Sequence, residues 1–330
     1  MAFLDSGGTK RVSVSCGSET KATMMARFTP LEQRIDEWAH RRLDRMRGAE
    51  QGSRSAGGRV RSHRLRTWSI EFTVFVLKQA WACVFGAALL AVLVLTRLWY
   101  PESVALARND FLVLAALAIQ VLMVVFKLET LRELRVIILF HIVGTVMEIF
   151  KTDAGSWTYE GDGVLHIFGV PLYSGFMYAA VGSYMVRVFR LFELRFDHYP
   201  RRWITAILAS LIYINFFSHH FIVDVRWFLF AAIAVVWWRT IMHVRVSRAR
   251  FRMPVLVAFV LVSIFIWIAE NVATWSNAWV YPNQSDGWEL VSIAKLGSWL
   301  LLMIVSVVLV TWVEKPRPPE VAGESAASGA

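Results

Sequence analysis

The chain has 330 residues, of which 56% are hydrophobic, 14% aromatic and 18% charged, with a mean hydropathy of +0.48. Soluble domains carry about 45–50% apolar and about 25% charged residues, so this composition excludes an ordinary water-soluble enzyme and makes lipid the main solvent. The formal charge of +10 would suit nucleic acid, but its placement excludes that partner: 14 of the 35 Lys and Arg precede residue 68, and most others fall in alternate loops between apolar runs. Cys16 in a polar tail and Cys83 in an apolar run give no structural disulfide.

In chain order, residues 1–67 read as a basic cytoplasmic tail. Residues 1–24 mix Ser, Gly, Thr and Lys with no apolar core, so they form neither a signal peptide nor a folded unit, and Met25 is as good a start as Met1. From Pro30, LEQRIDEWAHRRLDRM sets Leu31, Ile35, Trp38 and Met46 close to one face. That is either a short interfacial helix or a solvated tail held near anionic lipid by charge. Residues 48–62, rich in Gly, follow as a linker.

Eight apolar runs come next, over 76–96, 109–126, 134–151, 171–190, 203–218, 225–242, 254–275 and 289–313. A span needs roughly 17–25 residues to cross about 30 Å of hydrocarbon. With the amino terminus cytoplasmic, 29 Lys and Arg lie on the inner side and 4 (Arg97, Arg108, Lys151 and Arg226) on the outer, while Lys78 and Lys295 lie within spans. Basic residues are retained on the cytoplasmic side, so the bias supports both count and orientation. The expected fold is all-α: a polytopic bundle of about eight transmembrane helices over 68–314, multi-pass in the cell's inner (plasma) membrane, with 315–330 as a disordered cytoplasmic tail. Membrane lipids are the expected partner.

An internal repeat is the most informative pattern. EIFKTDAGSWTY at the end of the third run aligns with ENVATWSNAWVY at the end of the seventh, matching Glu148 with Glu270, Thr152 with Thr274, Trp157 with Trp279 and Tyr159 with Tyr281 at one offset of 122. Both copies begin in the last turns of a span and enter a loop nearly free of basic residues. Runs three and seven are separated by an even number of crossings, so the pattern predicts two parallel four-helix repeats. Convergent use of Trp and Tyr at a membrane interface is the alternative.

Chemistry is expected where polar residues share a helix face. His141, Thr145, Glu148 and Thr152 recur at steps of four, three and four, and Ser263, Trp267, Glu270 and Thr274 match them. An ionisable stripe does not face lipid, so both stripes point into the bundle. Glu148 and Glu270 are then either general acid and base groups, with His141 as a hydrogen-bond relay, or ties between helices. Lys295, two turns into the eighth run, stands at a depth that neutralises Glu270. Thr152, Asp153, Trp157, Tyr159, Thr274 and Lys295 are the expected substrate-binding residues. The loop KTDAGSWTYEGDGVLHIFGV, with Gly155, Gly161, Gly163 and Gly169, reads as a folded lid. Gly175 and Gly182 read as helix-packing positions. His219, His220 and Asp224 are weak metal candidates by residue type, lacking a repeated His motif. No nucleotide fingerprint or phosphate-cradling Gly loop appears, and the sequence identifies no cofactor.

The stretches HIVGTVMEIFKT, GSWTY and GVPLYSGFMYAAVGSY resemble the bacterial membrane proteins grouped as domain of unknown function 817, over roughly 65–315. That resemblance implies no activity. More distantly, a Glu at a helix end followed by W-x-Y and GVPL looks like the lycopene cyclases and carotenoid hydratases, whose embedded carboxylates protonate a polyene; by that likeness Glu148 and Glu270 would be proton donors. After Pro171 this chain has Leu172 and Tyr173, where typical lycopene cyclases have a double glutamate. The readings carried forward are a membrane enzyme acting on an isoprenoid or other lipid, a proton-coupled transporter of a small molecule, and a non-catalytic scaffold. A hydrophobic small molecule is a partner in the first.

Overall fold

Every one of the eight apolar runs contains a helix, but the helices are unequal. The computed structural model describes residues 60–319 apart from Glu102 and Arg248, together with 29, 32–35, 37–38, 40–42 and 44–45. Expectations for 1–24, for most of the linker and for 320–330 lie outside these. The described residues are mostly helical: α1 (Val60–Ala82), α2 (Val84–Trp99), α3 (Arg108–Val125), α4 (Leu131–Asp153), α5 (Tyr173–Leu191), α6 (Arg202–Ser218), α7 (Arg226–Trp237), α8 (Val255–Trp275) and α9 (Lys295–Val313). Three of them, α3, α8 and α9, are long and apolar enough to cross a membrane. The pair α1 and α2, bent by 63° near Cys83, would make a fourth. Membrane association follows from these helices.

Two expectations need correction. The sixth run does not stay helical to 242: α7 has 12 residues, about 18 Å at 1.5 Å per residue, and ends at the fully buried Trp237. Past it the chain turns and enters a strand. The all-α reading therefore misses a small sheet of β3 (Arg195–Asp197), β4 (Ile241–Arg245) and β5 (Arg250–Pro254), antiparallel in the order β3-β4-β5. The β4-β5 hairpin has a local cause, since IMHVR and RFRMP are short runs mixing apolar and basic residues across a four-residue connection, and β3 joins it from a distant part of the chain. The start of the carboxy-terminal tail is also held there, the Phe196 N–H donating to the Arg317 carbonyl at 2.9 Å. Asp197 on β3 accepts from His243 Nε2 at 2.7 Å and from Arg252 at 3.4 Å. The bond from His243 holds the Asp197 carboxyl below the usual carboxylate range.

The connections fall into two groups. At one end, with the sheet, the buried Arg187 and Glu129 pair at 3.0 Å, and Lys78 donates to the carbonyls of Leu191 and Val246. Glu32 docks at this end: Thr29 and Glu32 cap each other, and Glu32 accepts from Trp81 Nε1 at 3.1 Å and from Arg190 at 2.9 Å. At the opposite end Arg108 donates to the carbonyls of Leu93, Ser276 and Asn277 and to Thr96, tying α2 and α3 to the end of α8.

The loop from 154 to 172 is folded. Asp110 accepts from the Val164 and Leu165 N–H groups, Asn109 donates to the Glu160 carbonyl, and β1 (His166–Ile167) turns through Phe168 and Gly169 into β2 (Val170–Pro171). The packing roles of Gly175 and Gly182 are observed: a Cβ at Gly182 would stand 2.8 Å from the Phe140 ring, and one at Gly175 would stand 2.5 Å from His141 Nδ1.

Candidate functional site

The site is built from two helix ends with the same backbone. At the end of α4 the N–H groups of Ala154, Gly155 and Ser156 donate to the carbonyls of Phe150, Thr152 and Lys151. At the end of α8 those of Ser276, Asn277 and Ala278 donate to Val272, Thr274 and Ala273, each donor and acceptor lying 122 residues further on. Both turns need a left-handed residue after the helix, supplied by Gly155 at φ +69° and by Asn277 at φ +52°. Each chain then doubles back, and Thr158 and Val280, again 122 apart, exchange backbone bonds of 3.0 and 2.9 Å.

These turns bring aromatic donors over two buried carboxylates, Glu148 and Glu270, each 3% exposed. The Trp157 indole N–H donates to Glu148 Oε2 at 2.8 Å and the Tyr159 hydroxyl to the same oxygen at 2.5 Å, while Tyr178 on α5 donates to Oε1 at 2.6 Å. Tyr281 donates to Glu270 Oε1 at 2.6 Å and Trp299 on α9 to Oε2 at 2.5 Å. Trp157 and Tyr281 meet edge to face with centroids 6.0 Å apart. Gly144, one turn before Glu148, leaves the space that the Tyr178 ring fills.

Both carboxylates line one cavity of about 280 Å³. Its other walls are mainly apolar: Leu89, Leu90, Met177, Val181, Val262 and Ile266. Ala87 on α2 and Phe265 on α8 also line it and are exposed, so it reaches the surface between those helices. A second cavity, of about 270 Å³, lies beside it and is lined by Lys151, Arg226, Lys295, His219, Asn215 and Ser298 among others. Trp157, Tyr178, Glu270, Tyr281 and Trp299 belong to both.

Several expected site residues lie elsewhere. His141 is not placed to relay a proton to Glu148: its Nδ1 is buried against Gly175, its ring packs 4.7 Å from Phe176, and it lines neither cavity. Close approach of α5 through Gly175 fixes it there, and the hydroxyls of Tyr159 and Tyr178 take the positions beside the carboxylate. Asp153 is exposed. Thr152 is outside both cavities, and Thr274 accepts from Trp288 Nε1 at 3.1 Å, as part of a loop contact. Lys295 does not form an ion pair with Glu270; its ammonium stands 4.2 Å from the Tyr281 ring centroid and 5.7 Å from that of Trp157.

His219, His220 and Asp224 do not gather around a common point. Lys151 Nζ lies 3.0 Å from His220 Nε2 and 3.5 Å from His219 Nε2, and Asp224 pairs with Arg226 at 2.5 Å. Among the described residues no three His, Cys, Asp or Glu side chains are arranged to hold a metal. Burial, and then the Lys151 ammonium, keep the His220 imidazole below its usual range. Burial acts on Asp224 in the opposite sense to its hydrogen bonds from Arg226 and Asn215, and the bonds prevail, holding that carboxyl low. The sequence reading overlooked Tyr178, Trp299, Lys151 and Arg226 as site residues. Trp299 had a signal, being one turn after Lys295 and so on the same face of α9.

Comparison with known proteins gives a family and no activity. The chain is 46% identical over 243 residues to a protein of Bacillus subtilis (strain 168) named Uncharacterized protein YoaT, covering 74% of this chain and 91% of that one. A crystal structure of a cross-linked MvINS trimer aligns with a TM-score of 0.41 at 16% identity, covering 58% of this chain and 98% of that one. Residues 71–307 match the family described as Protein of unknown function (DUF817), and the chain belongs to that family.

Proposed function

We propose that this protein is a multi-pass enzyme of the inner (plasma) membrane that takes an isoprenoid or other lipid sideways from the bilayer and moves a proton on it with Glu148 and Glu270. The observation that carries this reading is that both carboxylates line one otherwise apolar cavity reaching the surface between α2 and α8. A dry site walled by aromatics protects a protonated alkene from capture by water. In the simplest balanced step, the Glu148 carboxylic acid gives its proton to one carbon of a double bond. The Glu270 carboxylate then removes a proton from the carbon next to the cation, leaving a shifted double bond. Tyr159 and Tyr178 set the orientation of the first group, Tyr281 and Trp299 that of the second.

The same reading includes eight spans with the amino terminus cytoplasmic, arranged as two parallel four-helix halves. Its support is the run of backbone bonds repeated 122 residues apart, together with the mutual bond of Thr158 and Val280, which two copies would make across an axis between them.

Lipid extracts of cells with the intact gene, without it, and with Glu148→Gln test the activity. A species present only with the intact gene, and missing from both other extracts, is the expected result. Identical extracts remove the enzyme reading, and if Glu148→Gln then abolishes proton-dependent uptake of a solute, transport replaces it.

A further inference from the structure

The basic residues of the cavity beside the site have no part in the proton chemistry above. Lys151 from α4, Arg226 from α7 and Lys295 from α9 converge on it and lie within electrostatic reach of one another. Two carboxylates are near: Asp224 pairs with Arg226 and accepts from Asn215, and Glu270, which attracts Lys295, accepts from Tyr281 and Trp299. Lys151 is 5% exposed, and among the described residues it forms no ion pair. Its polar partners are two imidazoles. His219 Nδ1 lies 2.9 Å from the Asn215 carbonyl, so the ring proton belongs on Nδ1 and Nε2 faces Lys151 as an acceptor. The histidines therefore hold the ammonium in place without neutralising it. A buried charge with no counter-charge is costly, and an anion entering this cavity would remove that cost.

The placement of basic residues strengthens the case. At the end of the bundle where they are scarce, Arg97 is exposed and Arg108 spends its guanidinium on three carbonyls and a hydroxyl. The other two, Lys151 and Arg226, meet Lys295 at this one cavity. An anion bound there would sit against Trp157 and Tyr281, beyond which the apolar cavity begins.

We propose that Lys151, Lys295 and Arg226 form the headgroup site for an amphiphile bearing a phosphate, whose apolar chain runs past Glu148 and Glu270 into the cavity between α2 and α8. This rests on the reading of the apolar cavity as a lipid site and names the class of lipid it takes. Lysine binds phosphate as a compact point charge and does not require the planar fork of an arginine pair, which suits two ammonium groups brought by different helices.

The test uses the full chain purified in a neutral detergent, titrated with decyl phosphate, 1-decanol and inorganic phosphate and followed by tryptophan fluorescence, since Trp157 and Trp299 line both cavities. Decyl phosphate is expected to bind at least about tenfold more tightly than decanol, a difference of about 1.4 kcal/mol. Lys151→Gln and Lys295→Gln should each abolish most of that preference while decanol binding persists. Lys151→Arg should keep it. Lys295→Gln, which leaves the contacts of Lys151 with His219 and His220 in place, serves if Lys151→Gln fails to fold. Equal affinities for decyl phosphate and decanol overturn the headgroup site and leave the apolar-cavity reading standing, whereas absence of binding by both decanol and decyl phosphate removes that reading as well. Inorganic phosphate binding as tightly as decyl phosphate means a site for a free anion, and the amphiphile is then wrong.

Discussion

Glu148 and Glu270 sit in matching backbone settings and differ in what surrounds them. Each lies near the end of a helix closed by a left-handed residue, and each accepts from the tyrosine eleven residues later. Glu148 has two further donors, Trp157 and Tyr178, and Glu270 has one, Trp299, with the Lys295 ammonium nearby over the Tyr281 ring. The shared part is the frame, set by backbone bonds. The difference lies in side chains brought from other helices, and it makes the two groups unequal as structural ties.

Removing the carboxylates gives the largest effect. A buried donor left unpaired costs about 1–3 kcal/mol. Glu148→Leu strands three donors and Glu270→Leu two, so the first should lower unfolding stability in detergent by roughly 1–3 kcal/mol more than the second. Equal losses would mean that one donor at Glu148 finds another acceptor. The glutamine variants should both fold, because a tyrosine hydroxyl can turn to accept from the new amide while the amide oxygen faces the indole.

Gly144 sharpens the comparison. Its counterpart 122 residues on is Ile266, a cavity-lining side chain, so only the first half makes room for a tyrosine from the next helix. A methyl group at 144 falls on the Tyr178 ring. Gly144→Ala should therefore cost about 1–3 kcal/mol, the range for overpacking. Combined with Tyr178→Ala, the added loss should be much smaller, and a double-mutant cycle with no coupling would break the argument.

The helix-ending residues give a smaller, directional test. Gly155→Ala puts a Cβ where φ is +69° and should cost about 1 kcal/mol, whereas Asn277→Gly relieves a non-glycine residue at +52° and should change stability by about 0.5 kcal/mol or less. Thermal midpoints of the two variants against the parent chain decide it, and equal losses would contradict the shared frame.

Much of this frame was legible in the sequence because it depends on residues close together in the chain. The offset of 122 picked out Glu148, Glu270 and their tyrosines, and the same spacing governs the backbone bonds at both turns. Apolar runs located the helices for the same reason. What was missed comes from long-range packing. Tyr178 reaches Glu148 because Gly144 yields space on another helix, and Lys151 meets Lys295 only once α4 and α9 are assembled. His141 was misassigned because a one-helix stripe says nothing of a neighbour that comes close through Gly175. The small sheet escaped because its strands are three to five residues long and one of them, β3, pairs with a strand more than forty residues away.

The two ends of the bundle should respond to acid in different ranges, which is the smallest effect expected here. His220 is held below its usual value, so as pH falls the unfolded chain takes up its proton first, from about pH 6.5 downward. Stability from this group is present above that range and lost as pH falls toward the folded value. Asp197, at the sheet end, is also held low, but its contribution is present above about pH 3.9 and lost as pH falls through its lower folded value. Thermal midpoints of the parent chain, His220→Gln and Asp197→Asn between pH 7 and 3 separate the two. The parent should lose stability faster than His220→Gln between about pH 6.5 and 5, and faster than Asp197→Asn only below about pH 4. If His220→Gln instead tracks the parent throughout the upper range, burial and the neighbouring Lys151 ammonium do not hold this imidazole low.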